Sequence, residues 1–264
     1  YKTYYYFMKN QYESILGTDI WKYNKAVKDK SVGQEAIESV LRQIIQVKVI
    51  GKEAAIEKVQ LETDEKEEAD YRAKTVFDSI SAKDKQTQGI ELKVLSKIFE
   101  ENKLAQKMYN VQMGKLKIDY AANTLSAAKV ELIYQAANAK NKETVKNTMS
   151  QILSEVTSSQ NSFYTVAKNK TQADAIEYVI GNQDSRTNLA KAVVSLKKNQ
   201  TSALIEEKDG FYIAHCIQTN SAALQQQYRN QLVSEKQTES FQKTYKIWSD
   251  KFDVKVSKAL LAAN

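Results

Sequence analysis

Proline is absent from this sequence, and histidine and cysteine occur once each, side by side, as His215 and Cys216. At an average usage of about 5 %, a chain of 264 residues would hold a dozen or so prolines. The chain therefore has no proline kinks and no slow prolyl step in its own folding. Few helix breakers, together with many Ala, Lys, Glu and Gln residues, favour long helices.

The single cysteine excludes an intrachain disulfide bond, and the single histidine narrows the catalytic options. A zinc site takes three or four ligands from Cys, His or carboxylates, so the adjacent pair alone does not predict one. A Ser-His-Asp catalytic triad or a Cys-His catalytic dyad would have to use His215. We expect no metal and no cofactor.

Long apolar runs are also missing, since none approaches the roughly 20 residues that cross a bilayer. The sequence does not begin with Met and shows no basic-then-apolar leader. A mature form and a shortened form both fit these observations, and the sequence leaves the choice open.

Positive charge exceeds negative charge, with 39 Lys and Arg against 32 Asp and Glu, a net charge of +7. Nearly all of the positive charge is lysine, scattered among acids, whereas bidentate recognition of bases and phosphates favours arginine. We therefore expect no nucleic-acid partner. A lysine-rich solvated surface would tolerate an anionic neighbourhood such as a membrane or a cell wall. The four arginines are Arg42, Arg72, Arg186 and Arg229.

The first half of the chain carries helical patterns. The clearest helix runs from Ser31 to Lys58, where Ser31 and Gln34 fit a capping box. Thr63 indicates a second N-cap with acids in the first turn, and Gly89 separates that helix from the next. Apolar residues recur at three- and four-residue spacing and predict core-facing stripes. In the clearest helix these are Ile37, Val40, Leu41, Ile44, Val47 and Ile50.

The pattern changes near residue 125 and predicts a β-α-α-β-α-β-β unit with a mainly antiparallel sheet. Asp209-Gly210 between the last two strands indicates a hairpin. The predicted strands are 129–134, 176–180, 202–206 and 210–217, and the predicted helices are 144–156, 163–167 and 189–196.

Helical spacing returns after Ser221, through Leu224, Tyr228, Trp248 and Phe252. A lone helix of this apolarity would leave a stripe uncovered, so we expect it to dock on the N-terminal helices. The fold class predicted is mainly α with an inserted α+β domain. The domains predicted are 1–124, 125–219 and 220–264, the last completing the helical body.

The α+β segment resembles a parvulin domain, whose pattern includes "L-K-x-G-x-x-S" followed by "G-Y-H-I-I". The segment Val40 to Glu68 resembles the N-terminal region of PrsA/SurA-type foldases, and Asp19-Ile20-Trp21 and 98–105 resemble clostridial members. Trp248 to Val254 resembles the returning C-terminal helix of that family. The matching parvulin stretches are Ile176-Glu-Tyr-Val-Ile-Gly181, Leu189, Ala192, Ser195-Leu196-Lys197, Thr201-Ser202 and Asp209-Gly210-Phe211-Tyr212-Ile213.

This resemblance implies a SurA/trigger-factor-like chaperone body with a parvulin-like (FKBP-like) domain. It implies an exported foldase on the membrane surface of a Gram-positive-type bacterium, a lipoprotein anchored through a cysteine upstream of residue 1. Its partners would be unfolded or secreted polypeptides. Membrane association would come only through that anchor, and a homodimer is compatible with the sequence.

The catalytic residues of parvulins do not carry over to this sequence. The two family histidines fall on Leu132 and Tyr212, and the pocket Met and Phe fall near Ser185 and Leu189. Strand alternation places His215 on the face opposite to Tyr212. The parvulin-like domain is therefore predicted to be catalytically degenerate while keeping a peptide-binding cleft. The predicted cleft residues are Leu132, Phe163, Ser185, Leu189, Val194 and Tyr212.

Three functions stay open at this point. The first is a non-catalytic chaperone that binds unfolded chains, and the second is an active peptidyl-prolyl isomerase. The third is a helical envelope protein or adhesin without a folding role. For the first, the aromatic residues near the N-terminus form a candidate wall of a client-binding groove. These residues are Tyr4, Tyr5, Tyr12 and Trp21.

Overall fold

The computed structural model describes residues 1–22, 31–121, 124–158 and 162–256. The chain divides into two compact units, one of residues Tyr1–Lys117 and Gln237–Asn264 and the other of residues Ile118–Lys236. The first is helical, and the second combines helices with a four-stranded sheet. The fold class predicted from the sequence, mainly α with an inserted α+β domain, is confirmed. None of the described helices is long and apolar enough to cross a membrane.

The helical unit begins with α1 (Lys2–Leu16) and a 3-10 turn (Thr18–Lys22). It continues with α2 (Val32–Ile56), α3 (Thr63–Ser79), α4 (Ala82–Gln88) and α5 (Leu92–Gly114). The long helix α9 (Ala222–Ser249) contributes its residues from Gln237 onward.

Local capping signals explain where these helices start. Ser31 caps α2, and the capping box with Gln34 is present as predicted. The next helix starts one residue earlier than expected, because Glu62 is the N-cap and forms its own box with Glu65. The apolar spacing does not distinguish the short helix α4 from α3. The Ser81 hydroxyl caps α4 by accepting a hydrogen bond from the Asp84 backbone amide.

The core of the helical unit forms where α2 and α5 meet the end of α9. Met108 and Trp248 are buried there with Val49 and Ile50 of α2. Burial of such side chains contributes about 1.5–3 kcal/mol each. The last part of α9 thus packs on α2 and α5, which covers the apolar stripe that the sequence leaves without a partner.

The α+β unit contains β1 (Ala127–Ala136), α6 (Lys142–Ser158), α7 (Phe163–Lys170) and β2 (Glu177–Gly181). The helix α8 (Thr187–Ser195) and the strands β3 (Ile205–Glu207) and β4 (Gly210–Gln218) follow. The strand order is β2-β1-β4-β3, and each neighbouring pair is antiparallel. Helices α6 and α7 cover one face of the sheet and α8 covers the other.

The β3–β4 hairpin is closed by Lys208 and Asp209, since Glu207 pairs with Gly210. The observed turn therefore lies one residue earlier in the chain than the predicted turn, Asp209-Gly210. Gly210 has φ of 155°, and a Cβ there would stand 2.1 Å from the Gln135 carbonyl oxygen. Glycine is needed at this position because β1 passes so close to the turn.

The two compact units begin and end at residues other than the predicted domain bounds. Those bounds, 1–124, 125–219 and 220–264, stay a prediction. The shift arises because α9 is one continuous helix whose residues before Gln237 pack in the α+β unit. There Tyr228 and Leu232 are buried with Leu125 and Ala127.

Candidate peptide site of the sheet domain

The strand β4 presents alternate residues to the two faces of the sheet. Tyr212, Ala214 and Cys216 lie in the core under α8, whereas Phe211 and Ile213 lie in the core under α6 and α7. This alternation is the one predicted from the sequence. It decides which of the candidate residues can act together.

Tyr212 is buried in the core under α8, two residues after the start of β4. It pairs across the ladder with Tyr134, and the two rings stack with centroids 4.6 Å apart. The Tyr212 hydroxyl donates a 2.6 Å hydrogen bond to Asp209 Oδ2. The Tyr134 hydroxyl donates to the Asp209 backbone oxygen at 3.0 Å. Both phenols are thus tied to the hairpin turn.

Arg186 lies beside the Tyr212 ring, with its guanidinium carbon 5.6 Å from the ring centroid. Asp184 holds the guanidinium through Nε and Nη2 at 2.9 and 2.6 Å. This bidentate pair raises the pKa of Arg186 further, so the cation is permanent. Burial, followed by the bond to Asp209, raises the pKa of Tyr212 well above its usual value. The phenol therefore stays neutral and acts as a donor to Asp209.

Leu132 and Leu189 lie in the same core as Tyr212, so the structure brings together three of the six predicted cleft residues. Leu132 is 1 % exposed, Leu189 is 0 % exposed and Tyr212 is 3 % exposed. Side chains this deeply buried do not present a surface to a peptide. Two more predicted residues lie outside this core: Ser185 is exposed before α8, and Val194 is half-buried near the end of α8.

Phe163 lies on the opposite face of the sheet and does not line a cleft with Tyr212. It is the first residue of α7 and packs with Ile133 and Phe211. Its ring also stacks on His215, with centroids 5.3 Å apart. The sequence placed it with the cleft because it could not show which face α7 covers.

His215 lies on the same face of the sheet as Phe163 and contacts its neighbours there. Its Nδ1 atom is hydrogen-bonded to the Thr201 hydroxyl at 2.9 Å. Burial lowers the pKa of the imidazole, so it is neutral at neutral pH. The chain's only histidine is thus held away from Leu132 and Tyr212.

Cys216 follows His215 in sequence but points to the other face, where it is fully buried. Burial raises the pKa of its thiol, which makes the reactive thiolate scarce. The adjacent pair therefore cannot act together on one ligand. Within the part of the chain that the structure describes, no three His, Cys, Asp or Glu side chains converge as a metal site.

The predicted client-binding aromatics of the helical unit surround a small core of Met8, Ala36 and Val40. All are half-buried there. The Trp21 indole donates a 2.8 Å hydrogen bond to Glu13, and the Asn102 amide donates to the Tyr4 hydroxyl at 3.2 Å. Tyr4 lines a groove whose other walls mix amide side chains, such as Gln43 and Asn102, with apolar and aromatic ones, such as Ile50 and Phe241. The four aromatics are Tyr4, Tyr5, Tyr12 and Trp21.

A groove that the sequence did not reveal lies along α2. It has a volume of about 440 Å³, and its lining includes residues 252–256 beyond the end of α9. The available signal was the width of the apolar stripe of α2, where Val40-Leu41 and Ile44-Ile45 are adjacent apolar pairs. The partner segment is distant in sequence; the helical spacing through Phe252 predicts that it docks on the N-terminal helices, but not that a groove forms there. The α2 residues of this lining are Leu41, Ile44, Ile45, Lys48, Val49 and Lys52.

Comparison with known proteins identifies the sheet domain. Residues 125–218 match the family model described as Rotamase, PPIC-type PPIASE domain. The parvulin-like domain expected from the sequence is thereby confirmed. No curated protein sequence matches the chain.

Solved structures show wider but weaker similarity. A PpiC-type peptidyl-prolyl cis-trans isomerase domain is 21 % identical, with 38 % of this chain and 98 % of that chain covered and a TM-score of 0.35. The peptidylprolyl isomerase PrsA of Bacillus anthracis is 16 % identical, with 82 % and 99 % covered and a TM-score of 0.45. A SurA-like chaperone of Campylobacter jejuni is 12 % identical, with 90 % and 92 % covered and a TM-score of 0.31.

Proposed function

We propose that this protein, whose residues 125–218 form a PPIC-type domain, is an extracytoplasmic foldase that binds unfolded polypeptides without efficient prolyl isomerisation. The observation that carries the proposal is the state of Tyr212. It stands where the family has a histidine, it is buried, and Tyr134, Arg186 and Asp209 occupy the surroundings of its ring and hydroxyl.

Prolyl isomerisation requires the amide to twist against a resonance barrier of about 18–20 kcal/mol. An enzyme lowers that barrier by burying the proline ring in an accessible pocket and by aiming polar groups at the twisted amide. Leu132 supplies no hydrogen bond, and the Tyr212 hydroxyl is already bound to Asp209. Neither can bind the proline or its amide without breaking the core under α8.

The size of the loss supports the proposal. Removing one preorganised polar contact costs about 2.7–4 kcal/mol of transition-state stabilisation in well-studied enzymes. Two such losses reduce a rate by roughly 10⁴-fold or more. His215 cannot compensate, because it packs with Phe163 on the opposite face of the sheet.

The second candidate function is active peptidyl-prolyl isomerisation. The match of residues 125–218 to the PPIC-type family favours it. Under this alternative, the Tyr212 hydroxyl would have to leave Asp209 and bind the substrate. The Tyr212→Phe variant would then lose activity, whereas under our proposal it has no appreciable activity to lose.

Client binding is assigned to the helical unit, with the half-buried aromatics Tyr4, Tyr5, Tyr12 and Trp21 as part of its surface. Helical chaperones bind through apolar surfaces because their clients share apolar side chains but not sequence. A peptide could also pair along the open edge of the sheet. The predicted lipid anchor, Gram-positive-type envelope and homodimer, and the predicted domain bounds, remain part of this proposal.

The experiment is an aggregation-suppression assay with a reduced or denatured model protein, run on the full chain. We expect aggregation to slow in proportion to the amount of protein added. Equal aggregation with and without the protein, at a severalfold molar excess, would contradict the chaperone role. It would revive the reading as an envelope protein without a folding role.

A further inference from the structure

The groove along α2 has an apolar floor and an apolar wall. Leu41, Ile44 and Ile45 line it from the helix. Phe252, Val254 and Val256 line it from the segment that follows α9. Val254 is 45 % exposed and Val256 is 36 % exposed. The volume of the groove, about 440 Å³, lies within the range of protein ligand pockets.

Three lysine ammonium groups and one carboxylate, Asp253, line this apolar surface. Lys48 and Lys52 lie one turn apart on α2, and Lys255 lies on the wall. Lys48 pairs with Glu101 at 2.5 Å, and Lys255 pairs with the neighbouring Asp253 at 3.2 Å. Lys52 has no acidic partner within 4 Å in the described ranges, and its ammonium lies 5.7 Å from the Phe252 ring centroid. The rim therefore has a cationic group available to a ligand.

The segment that forms the wall, residues 252–256, is anchored at its start, and the backbone amides and carbonyls of its described residues 253–256 are available for pairing. Lys251, just before it, binds the buried Glu53 with both oxygens at 3.0 Å. Residues 253–256 are outside helix and strand, and within the described chain none of them takes part in a backbone–backbone hydrogen bond. An extended peptide can pair with such a segment, since backbone pairing does not depend on the side chains of the client.

We propose that this groove binds extended client segments in which apolar residues alternate with or adjoin acidic residues. Apolar client side chains contact the floor, client carboxylates approach Lys52 and Lys255, and the client backbone runs along residues 253–256. The inference rests on the proposed function and names the class of client that the helical unit prefers. It differs from the aromatic surface predicted from the sequence, because none of Tyr4, Tyr5, Tyr12 and Trp21 lines this groove.

The test uses fluorescence anisotropy of two labelled ten-residue peptides with the same apolar residues, one with glutamates and the other with lysines between them. We expect the full chain to bind the glutamate peptide at least about tenfold more tightly, with affinity falling as salt rises. The double variant Lys52→Glu and Lys255→Glu should lose about tenfold for the glutamate peptide. Lys93→Glu with Lys97→Glu, two exposed positions on α5 outside the groove, changes the net charge equally and should retain binding.

A second pair of variants tests the apolar floor. Leu41→Gln should weaken both peptides by about tenfold, because it removes an apolar contact from the groove. Val94→Gln removes an apolar side chain that is 42 % exposed on α5 and should have no effect. Circular dichroism of both variants checks that the helices are retained.

Several results would overturn the inference. Equal binding of the two peptides, or no loss in the Lys52/Lys255 variant, removes the charge preference. Binding that appears only after deletion of residues 257–264 means that the chain's own end is the occupant. A dimer that Leu41→Gln dissociates means that a second copy covers the groove. If any of these occurs while the full chain still suppresses aggregation, the proposed function stands and only this client preference fails.

Discussion

Glu53 and Lys251 form an ion pair across 198 residues of sequence, with the Lys251 ammonium donating to both carboxylate oxygens at 3.0 Å. The Glu53 side chain is 2 % exposed, whereas that of Lys251 is 47 % exposed. A carboxylate this deeply buried needs its partner, because an unpaired buried charge is costly. The pair therefore joins the segment that follows α9 to α2 within the helical unit.

We expect Lys251→Met to lower the free energy of unfolding by about 1–3 kcal/mol, since it leaves Glu53 without its cation. Urea denaturation followed by circular dichroism measures this. Lys246→Met removes a comparable ion pair, to Asp250, that is exposed on both sides and should cost less than about 0.5 kcal/mol. A Lys251→Met effect no larger than that of Lys246→Met would contradict the role given to the pair.

Tyr212→Phe should destabilise the sheet domain by about 1–2 kcal/mol, because it removes the 2.6 Å hydrogen bond to Asp209. Tyr134→Phe removes a 3.0 Å bond to the backbone of the same residue and should cost less. Thermal unfolding of both variants gives the comparison. The proposed function requires that Asp209 holds the Tyr212 hydroxyl. Equal stability of Tyr212→Phe and the parent protein would contradict this.

The half-buried imidazole of His215 predicts a pH dependence of stability. Burial lowers its pKa below the ordinary value of 6.5, so the unfolded chain binds this proton more readily than the folded chain. The His215 contribution to stability is therefore complete above pH 6.5 and is lost as pH falls through the lower folded-state pKa. The difference in unfolding free energy between the parent and His215→Gln, measured from about pH 8 to about pH 5, isolates this effect. A difference that does not change with pH would show that the imidazole is not desolvated.

Two glycine substitutions should act in opposite directions. A Cβ at Gly181 would meet the Tyr228 ring at 2.3 Å and the Ser126 carbonyl oxygen at 2.6 Å, so Gly181→Ala should destabilise by about 1–3 kcal/mol. Gly51 lies inside α2, and a Cβ added there would meet nothing within 4 Å, so Gly51→Ala should stabilise by about 0.5–1 kcal/mol. Urea midpoints of the two variants check the signs. A Gly181→Ala variant as stable as the parent, or more stable, would contradict the close approach of α9 to β2.

Local signals were sufficient for much of the fold and for part of the site. The capping box at Ser31 fixed the start of α2, and strand alternation separated Tyr212 from His215. Both depend on residues close together in sequence. The face covered by α7, and with it the position of Phe163, depends on how the chain crosses the sheet, which the local pattern does not encode. The docking of the segment through Phe252 on the N-terminal helices follows from its helical spacing, but the groove that it forms with Ile45 does not, because its shape depends on the folded chain.

The most direct test of the central claim is a protease-coupled isomerisation assay with a proline-containing tetrapeptide, in which the full chain is compared with an active PPIC-type domain at equal concentration. We expect the full chain to accelerate isomerisation at least about a hundredfold less than the control, because the Tyr212 hydroxyl and Leu132 provide no free polar contact for the amide. The same sample should suppress aggregation of a denatured client. A rate within about tenfold of the control would contradict the account, and loss of that rate in Tyr212→Phe would identify the phenol as the group responsible.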